Sequence, residues 1–168
     1  TIEENLVLAS AKIKHKPFSL AITAGNRLKL VEDLKTLDIG LENRLKTNVG
    51  LLSGGQRQAL TLLMATSAQP DLLLLDEHTA ALDPSTADKV LELTKNIVAE
   101  RKITCLMITH NMHQALELGN RTLMMNNGRI ILDISGQDRS NESVQSLLDR
   151  FKAEAGKELD NDRILLSN

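Results

Sequence analysis

The sequence contains no tyrosine and no tryptophan, and aromatic residues make up only 1% of its 168 residues. A site that stacks a base on one of those rings therefore cannot be built from this chain alone. Cysteine is also scarce, because Cys105 is the only one. A single cysteine excludes a disulfide framework and a Cys-x-x-Cys centre, which favours a reducing compartment. We interpret Cys105, inside an apolar run, as a small buried hydrophobic residue.

Long apolar runs and a large excess of charge are missing as well. No stretch of about 18 apolar residues is present, so the sequence predicts no membrane span. The net charge of −2 gives no broad electrostatic surface for nucleic acid, and we expect no nucleic-acid partner. Hydrophobic residues amount to 42%, which is ordinary for a folded domain. The chain begins without Met on a segment typical of a helix interior, and we expect a cut chain.

Apolar runs alternate with amphipathic segments, and this alternation predicts an α/β fold with a mostly parallel sheet. The runs at 72–75 and 104–109 predict strands that are buried on both faces. Asn127-Gly128 between two further apolar runs predicts a hairpin. Helical spacing predicts helices over 1–11, 26–37, 41–46, 56–67, 84–101 and 142–151. We expect three regions: a helical region 1–67, an α/β region 68–151 and a loosely held tail 152–168.

A glycine-bearing loop lies immediately before the predicted helix 56–67. Gly54 and Gly55 allow the backbone to approach a ligand closely, and Ser53 adds a hydroxyl donor. The N-terminus of the following helix presents unpaired N–H groups, which suit a phosphate. The alternative, an ordinary Ser-Gly-Gly loop that caps a helix, stays open on these residues alone.

Two acidic residues follow directly after the predicted strand 72–75. A carboxylate at that place is costly unless it meets a cation or hydrogen-bond donors. Asp76 can hold magnesium, usually with water, and Glu77 can polarise an attacking water. A surface acidic pair is the competing interpretation.

Two further residues, His110 and Asp83, lie at a strand end and a helix start, where functional residues are often found. His110 follows the predicted strand 104–109 and could donate a hydrogen bond to a terminal phosphoryl group, although such a histidine is more often structural. Asp83 precedes Pro84, which predicts a helix start with Asp83 as the N-cap. Asn111 can likewise cap a short helix through Leu118.

These motifs occur in one order, and together they resemble the ATPase subunits of ATP-binding cassette (ABC) transporters over about residues 1–151. The resemblance implies part of a P-loop NTPase (RecA-like) parallel sheet, with helices and a helical signature subdomain. The matching segments are Leu52–Gln56 for the signature motif, Leu72–Glu77 for the Walker B segment, Ala80–Asp83 for the D-loop and His110 for the switch histidine.

The resemblance also implies a role for each matching residue. The γ-phosphate of an ATP molecule held by a second ATPase protomer would be contacted by the signature residues Ser53, Gly54, Gly55 and Gln56, with Asp83 crossing the interface. Asp76 would lie near Mg²⁺, Glu77 would be the general base and His110 would sense the γ-phosphate. The sequence departs from the family at His78, where proline is usual, and at Ala80, where serine is common; we expect His78 to be exposed.

A phosphate cradle of the form G-x-x-x-x-G-K-[ST] is missing from these residues. Gly50 and Gly55 have the glycine spacing, but Gln56-Arg57 replaces Lys-[ST]. The resemblance implies that the cradle and the glutamine loop precede residue 1, and we expect no ATPase activity from this chain alone. Removal of the cradle strand would expose sheet edges, which predicts a strand-exchanged homodimer.

The resemblance implies a subunit that energises a membrane transporter, with transmembrane permease subunits as partners, on the cytoplasmic face of the membrane. A bacterial importer is the leading interpretation. The alternatives are a non-transport cassette ATPase of the DNA-repair type and a non-enzymatic fragment or defective paralogue that only docks a partner. The absence of sustained heptads in residues 1–50 argues against the DNA-repair type.

Overall fold

A computed structural model describes residues 1–10 and 24–155 of the chain. It divides into two compact units, Thr1–Leu106 and Met107–Asn168, and the boundary falls inside a strand. The predicted boundary at residue 68 separates a helical region from an α/β region, whereas this division separates compact units. The predicted boundary therefore stays a prediction. Most of the predicted tail, residues 156–168, lies outside the described residues.

Helices and short strands alternate along the described chain, as the sequence predicts. The elements of the first unit are α1 (Ile2–Ser10), α2 (Ala24–Lys35), α3 (Gly54–Ser67), β1 (Leu72–Asp76) and α4 (Pro84–Arg101), and β2 (Thr104–Ile108) continues into the second unit. The later elements are α5 (Met112–Glu117), β3 (Arg121–Asn126), β4 (Arg129–Ser135), α6 (Gly136–Ser140) and α7 (Val144–Ala155). None of the described helices is both long and apolar enough to cross a bilayer.

Helix α3 is central to the core of the first unit, because it packs against α1, α2 and α4. The core contains fully buried aliphatic side chains from three helices and one loop: Ile2, Leu6, Leu34, Leu41, Leu60 and Leu63. Among the described residues, Glu3 is the charged residue that is buried in this helical layer. Glu3 is 5% exposed, and its carboxylate accepts a 2.8 Å hydrogen bond from Arg27 Nε of α2.

Strands β1 and β2 pair with each other, and α4 forms the crossover between them, which gives a small parallel sheet. The prediction that these strands are buried on both faces is wrong. Leu73 is 5% exposed, whereas Leu72 and Leu74 on the other face are 51% and 65% exposed. The reason is that the helical core covers one face only, where Leu73, Leu75 and Cys105 pack. Burial raises the pKa of the Cys105 thiol.

The predicted helix over 41–46 is also wrong, because the segment forms turns. Within it, Arg44 N–H donates to the Leu41 carbonyl at 2.9 Å, which closes a turn. Carbonyls at its end accept from the start of α1: Glu3 N–H donates to the Leu45 carbonyl and Ile2 N–H donates to the Thr47 carbonyl, each at 3.0 Å. The predicted hairpin is confirmed. Strands β3 and β4 pair in antiparallel register, and Asn127 and Gly128 both have positive φ, of 50° and 76°, as a tight hairpin turn requires.

Candidate functional site

The N-terminus of α3 is built around Ser53, which is its N-cap. Ser53 Oγ accepts a hydrogen bond from Gln56 N–H at 3.3 Å, and Gln56 Oε1 accepts one from Ser53 N–H at 3.3 Å. This is a capping box. The Ser53 hydroxyl accepts in this bond, so its own proton can be donated to a ligand oxygen. Gly54 N–H and Gly55 N–H, in the first turn, have no acceptor inside the helix by helix geometry.

Both ends of the Gln56 side chain are engaged in holding this loop. Its amide nitrogen donates to the Ile39 carbonyl at 3.2 Å, while its amide oxygen accepts the capping-box hydrogen bond from Ser53 N–H. Arg57 donates to the Leu52 carbonyl at 3.2 Å, which ties the first turn of α3 back to the residue before the cap. The loop is therefore held in place by its own side chains before any ligand arrives.

The two glycines pack closely against Leu82, before α4, and Thr86, in its first turn, and the contact leaves no room for a side chain at Gly55. A Cβ atom on Gly55 would lie 2.2 Å from Thr86 Cγ2, and one on Gly54 would lie 3.1 Å from Leu82 Cδ2. Real Cβ atoms do not approach a neighbour within 3 Å without something shifting. The glycines of the predicted signature motif thus bring α3 into contact with the residues on either side of Asp83.

Asp83 caps α4, as the sequence predicts. Its carboxylate accepts a 3.0 Å hydrogen bond from Thr86 N–H, and Pro84 occupies the first turn. Hydrogen bonding from Thr86 holds the pKa of the Asp83 carboxyl below its ordinary value. The structure therefore places Ser53, Gly54 and Gly55 beside the segment that carries Asp83, although this segment lies about thirty residues further along the chain.

Asp76 is the last residue of β1, and Glu77 follows it at the carboxyl end of the strand. Both side chains are exposed. Glu77 has a φ of +42°, in the left-handed region that a residue with a side chain seldom adopts. Such a conformation costs on the order of 1–3 kcal/mol and persists only when its surroundings impose it. The Glu77 carbonyl accepts a 3.0 Å bond from Ala80 N–H, which closes a turn.

His78 was expected to be exposed, and this is wrong, because the residue is half-buried. Its ring Nε2 lies 3.2 Å from Thr94 Oγ1 of α4, and its carbonyl accepts a hydrogen bond from the Gln58 side chain of α3. Burial lowers the pKa of the His78 imidazole. His78 therefore lies between two helices.

His110 belongs to the second unit and is exposed, two residues beyond the end of β2. A capping network fixes the backbone on both sides of it. Asn111 N–H donates to Thr109 Oγ1 at 3.0 Å, Thr109 Oγ1 lies 2.9 Å from Gln114 Oε1, and the Asn111 side chain caps α5 as predicted. These contacts hold His110 at the strand-to-helix turn of its own unit.

The donor set determines which groups the site could hold. In the described ranges 1–10 and 24–155, no cluster of three or more His, Cys, Asp or Glu side chains could bind a metal by itself. One carboxylate at an open strand end, Asp76, fits Mg²⁺, which keeps most of its water or phosphate ligands. The exposed hydroxyl of Ser53 and the first-turn N–H groups of α3 suit phosphate oxygens.

Sequence reasoning missed three residues that help to build this site: Gln58, Thr86 and Thr94. Each is an unremarkable helix or loop position, and its contact partner lies 16 to 31 residues away in sequence. A signal existed for Gly54 and Gly55 only, since paired glycines at a helix start indicate close approach of another chain segment or a ligand.

Comparison with known proteins agrees with these motifs. Residues 1–80 match the family model described as "ABC transporter". The chain is similar to a tyrosine transport ATP-binding protein of Clostridioides difficile, with 42% identity over 90% of this chain and 60% of that protein. It is also similar to the methionine import ATP-binding protein MetN 2 of Enterococcus faecalis, with 34% identity over 99% of this chain and 46% of that protein.

A solved structure shows the same fold. The ADP conformation of MJ1267, an ATP-binding cassette of an ABC transporter, superposes with a TM-score of 0.70 at 22% identity, over 94% of this chain and 63% of that chain. The present chain thus spans about half to 60% of the length of the curated relatives it matches. Its motifs, its relatives and its fold agree in their likeness to the ATP-binding subunits of ABC transporters, and the chain has part of the P-loop NTPase fold.

Proposed function

We propose that this chain supplies the signature and hydrolysis segments of an ATP-binding cassette that drives solute import. The observation that carries the proposal is the arrangement at α3. A capped helix start presents the Ser53 hydroxyl and two glycine N–H groups, and glycine packing joins it to the segment of Asp83. Such a surface suits the phosphates of a nucleotide that is held by another protomer.

The proposed roles follow from the chemistry of each group. Ser53, Gly54 and Gly55 donate hydrogen bonds to the terminal phosphate, and Gln56 holds their loop in place through its two side-chain hydrogen bonds. Asp76 would hold Mg²⁺, which neutralises phosphate charge when it is bound. Glu77 orients and deprotonates the attacking water, and His110 donates to the terminal phosphoryl group.

The triphosphate cradle would come from polypeptide other than these 168 residues. A lysine and a nest of backbone N–H groups supply most of the contact with a triphosphate, and no G-x-x-x-x-G-K-[ST] segment is present here. We therefore expect this chain by itself to hydrolyse no ATP at a measurable rate.

The partners and cargo follow from the relatives. We propose a second ATPase protomer and transmembrane permease subunits as partners, and a place on the cytoplasmic face of the membrane. Relatives named for tyrosine transport and methionine import favour an amino acid as the cargo. The permease and its binding partner, rather than the residues described here, would select that amino acid.

A second copy of the chain is a further proposed partner. Within the described residues the β1–β2 sheet has only two strands, and its outer face exposes Leu72, Leu74 and Leu106. Open edges and an apolar face favour addition of strands from another chain. This is the basis for the strand-exchanged homodimer.

The function is tested by calorimetric titration of ATP with Mg²⁺ into the chain alone and into the chain mixed with an intact cassette subunit whose own signature serine is replaced by arginine. We expect no heat of binding and no phosphate release from the chain alone. We expect hydrolysis to return in the mixture, because this chain then supplies the working signature surface.

The matched controls are Ser53→Arg and Glu77→Gln in this chain. Ser53→Arg blocks the phosphate surface and should abolish the recovered hydrolysis, whereas Ser140→Arg at the exposed end of α6 should leave it unchanged. Hydrolysis by the chain alone, at a rate that Glu77→Gln abolishes, would defeat the proposal that the cradle lies elsewhere.

A further inference from the structure

We propose that Gln58 is a positioning residue, which holds the turn that carries Glu77 against the signature helix α3. The catalytic meaning of this contact rests on the proposed function, but the contact itself can be tested without nucleotide. Gln58 does not belong to any of the motifs that the sequence analysis identifies.

Gln58 is half-buried in the second turn of α3, and its amide nitrogen donates to the carbonyl of His78. This carbonyl lies after the end of β1 at Asp76 and before the start of α4 at Pro84, so no strand or helix ladder satisfies it. The Gln58 side chain of α3 supplies the hydrogen-bond donor for this carbonyl instead. Gly54 and Gly55 of the same helix also allow it to come close to Leu82 and Thr86, on the far side of the turn.

The ring of His78 is held from the opposite side by α4. The hydroxyl of Thr94 donates its proton to the Val90 carbonyl at 2.7 Å, so its oxygen is an acceptor toward His78 Nε2. Nε2 must therefore carry the proton, which fixes the tautomer of a neutral ring. The residue after Glu77 is thus fixed at its carbonyl by α3 and at its ring by α4.

Glu77 itself has the left-handed φ of +42°. A residue with a side chain keeps this conformation only when neighbouring contacts impose it. Two contacts that favour it are the Ala80 N–H bond to the Glu77 carbonyl and the Gln58 bond to the carbonyl of His78, the next residue. Loss of the Gln58 bond would let the peptide between Glu77 and His78 rotate toward more common backbone angles.

Gln58 consequently links two surfaces with different proposed tasks. The start of α3 faces a nucleotide on a partner protomer, and Glu77 acts on the nucleotide of its own protomer. A single side chain that joins α3 to the turn of Glu77 makes the position of the carboxylate depend on the position of the signature helix.

The test compares Gln58→Met and Gln58→Lys in the full chain without nucleotide. Both replacements are straight-chain helix formers of similar length, but only lysine keeps a donor. Amide hydrogen exchange is read at Ala80 and Leu82, whose N–H groups close the turn by bonds to the Glu77 and Thr79 carbonyls. We expect exchange to accelerate by roughly tenfold in Gln58→Met, the change expected for loss of one net hydrogen bond, and less in Gln58→Lys.

A second readout separates positioning from general loosening. Nitrogen NMR of the His78 ring in the parent chain should show a protonated Nε2 and an unprotonated Nδ1, and in Gln58→Met the two signals should move toward each other as the tautomers mix. Exchange in the β3–β4 hairpin should stay unchanged. Gln137→Met, at an exposed position of α6, is the control. It should change neither the amide exchange at Ala80 and Leu82 nor the nitrogen signals of the His78 ring.

The outcomes are distinct from those of the ATP titration. Unchanged exchange at Ala80 and Leu82 in Gln58→Met, or equal acceleration throughout the chain, would overturn the positioning role. Equal acceleration in Gln58→Met and Gln58→Lys would overturn it too, because the donor would then be irrelevant. If hydrolysis failed to return in the mixture with the intact subunit while the expected exchange pattern was seen, the contact would stand and the catalytic function would be rejected.

Discussion

The helical layer α1–α3 and the strand pair β1–β2 differ in how completely the chain covers them. Helix α3 has a capped start, packs against three other helices and buries Leu60 and Leu63 almost fully. Strand β1 is covered on one face only, so that Leu73 is 5% exposed while its neighbour Leu74 is 65% exposed. The helical layer is complete within the described residues, and the strand pair has one open face.

The contacts that hold the predicted signature loop in place do not involve the exposed face of β1. The capping box, the glycine contacts with Leu82 and Thr86 and the bond from Gln58 all lie within the first unit. The apolar residues on the outer face of β1, by contrast, would gain about 25 cal/mol for each Å² that a further layer removed from water.

The largest expected effect compares the two faces of β1 directly. Leu73→Ala should lower the free energy of unfolding by about 2–5 kcal/mol, because it leaves a cavity in the core. Leu74→Ala on the exposed face should change it by less than about 0.5 kcal/mol. Urea unfolding of the two variants at low protein concentration measures the difference. An equal loss at both positions, growing with protein concentration, would show that another copy covers the open face in solution.

The next effect tests the close packing of the helical layer. Gly55→Ala should lower the free energy of unfolding by about 1–3 kcal/mol, because the new methyl group overlaps Thr86 Cγ2. Thermal unfolding followed by circular dichroism measures it. Adding Thr86→Ser removes the overlapping methyl group and should recover most of the loss. Gly25→Ala is the matched control: nothing lies within 4 Å of its Cβ position in α2, so it should be neutral or slightly stabilising.

The smallest effect concerns the ion pair inside the helical layer and depends on pH. Hydrogen bonding from Arg27 holds the pKa of the Glu3 carboxyl below its ordinary value. This stabilisation is fully present above the ordinary carboxyl pKa and is lost as the pH falls through the lowered pKa. Arg27→Met should therefore lower the free energy of unfolding at neutral pH. In acid, the free energies of unfolding of the variant and the parent should become equal.

Chemical unfolding of Arg27→Met over a range of pH values checks this prediction. Lys29→Met, an exposed replacement in the same helix that also removes one positive charge, is the control and should show no such pH dependence. A loss for Arg27→Met that is the same at neutral and acid pH would assign the effect to packing of the side-chain stem rather than to the pair with Glu3.

Local patterns predicted the parts of the fold that depend on local interactions. Asp83 with Pro84 and Asn111 begin helices as expected, and Asn127-Gly128 forms the expected turn, because each depends on a few neighbouring residues. The predicted helix over 41–46 failed for the opposite reason. Carbonyl groups at its end accept hydrogen bonds from N–H groups at the start of α1, which lies about forty residues away in sequence.

The sequence by itself determined the order of elements, the caps and the family motifs, since those depend on residue type and on spacing along the chain. Only the tertiary structure decided that Gly55 meets Thr86, that Gln58 reaches the carbonyl of His78 and that one face of β1 stays open. The physical reason is that a contact between distant segments depends on how whole helices pack. A continuous apolar run shows that both faces of a strand can be buried, but not whether the chain provides a layer for each.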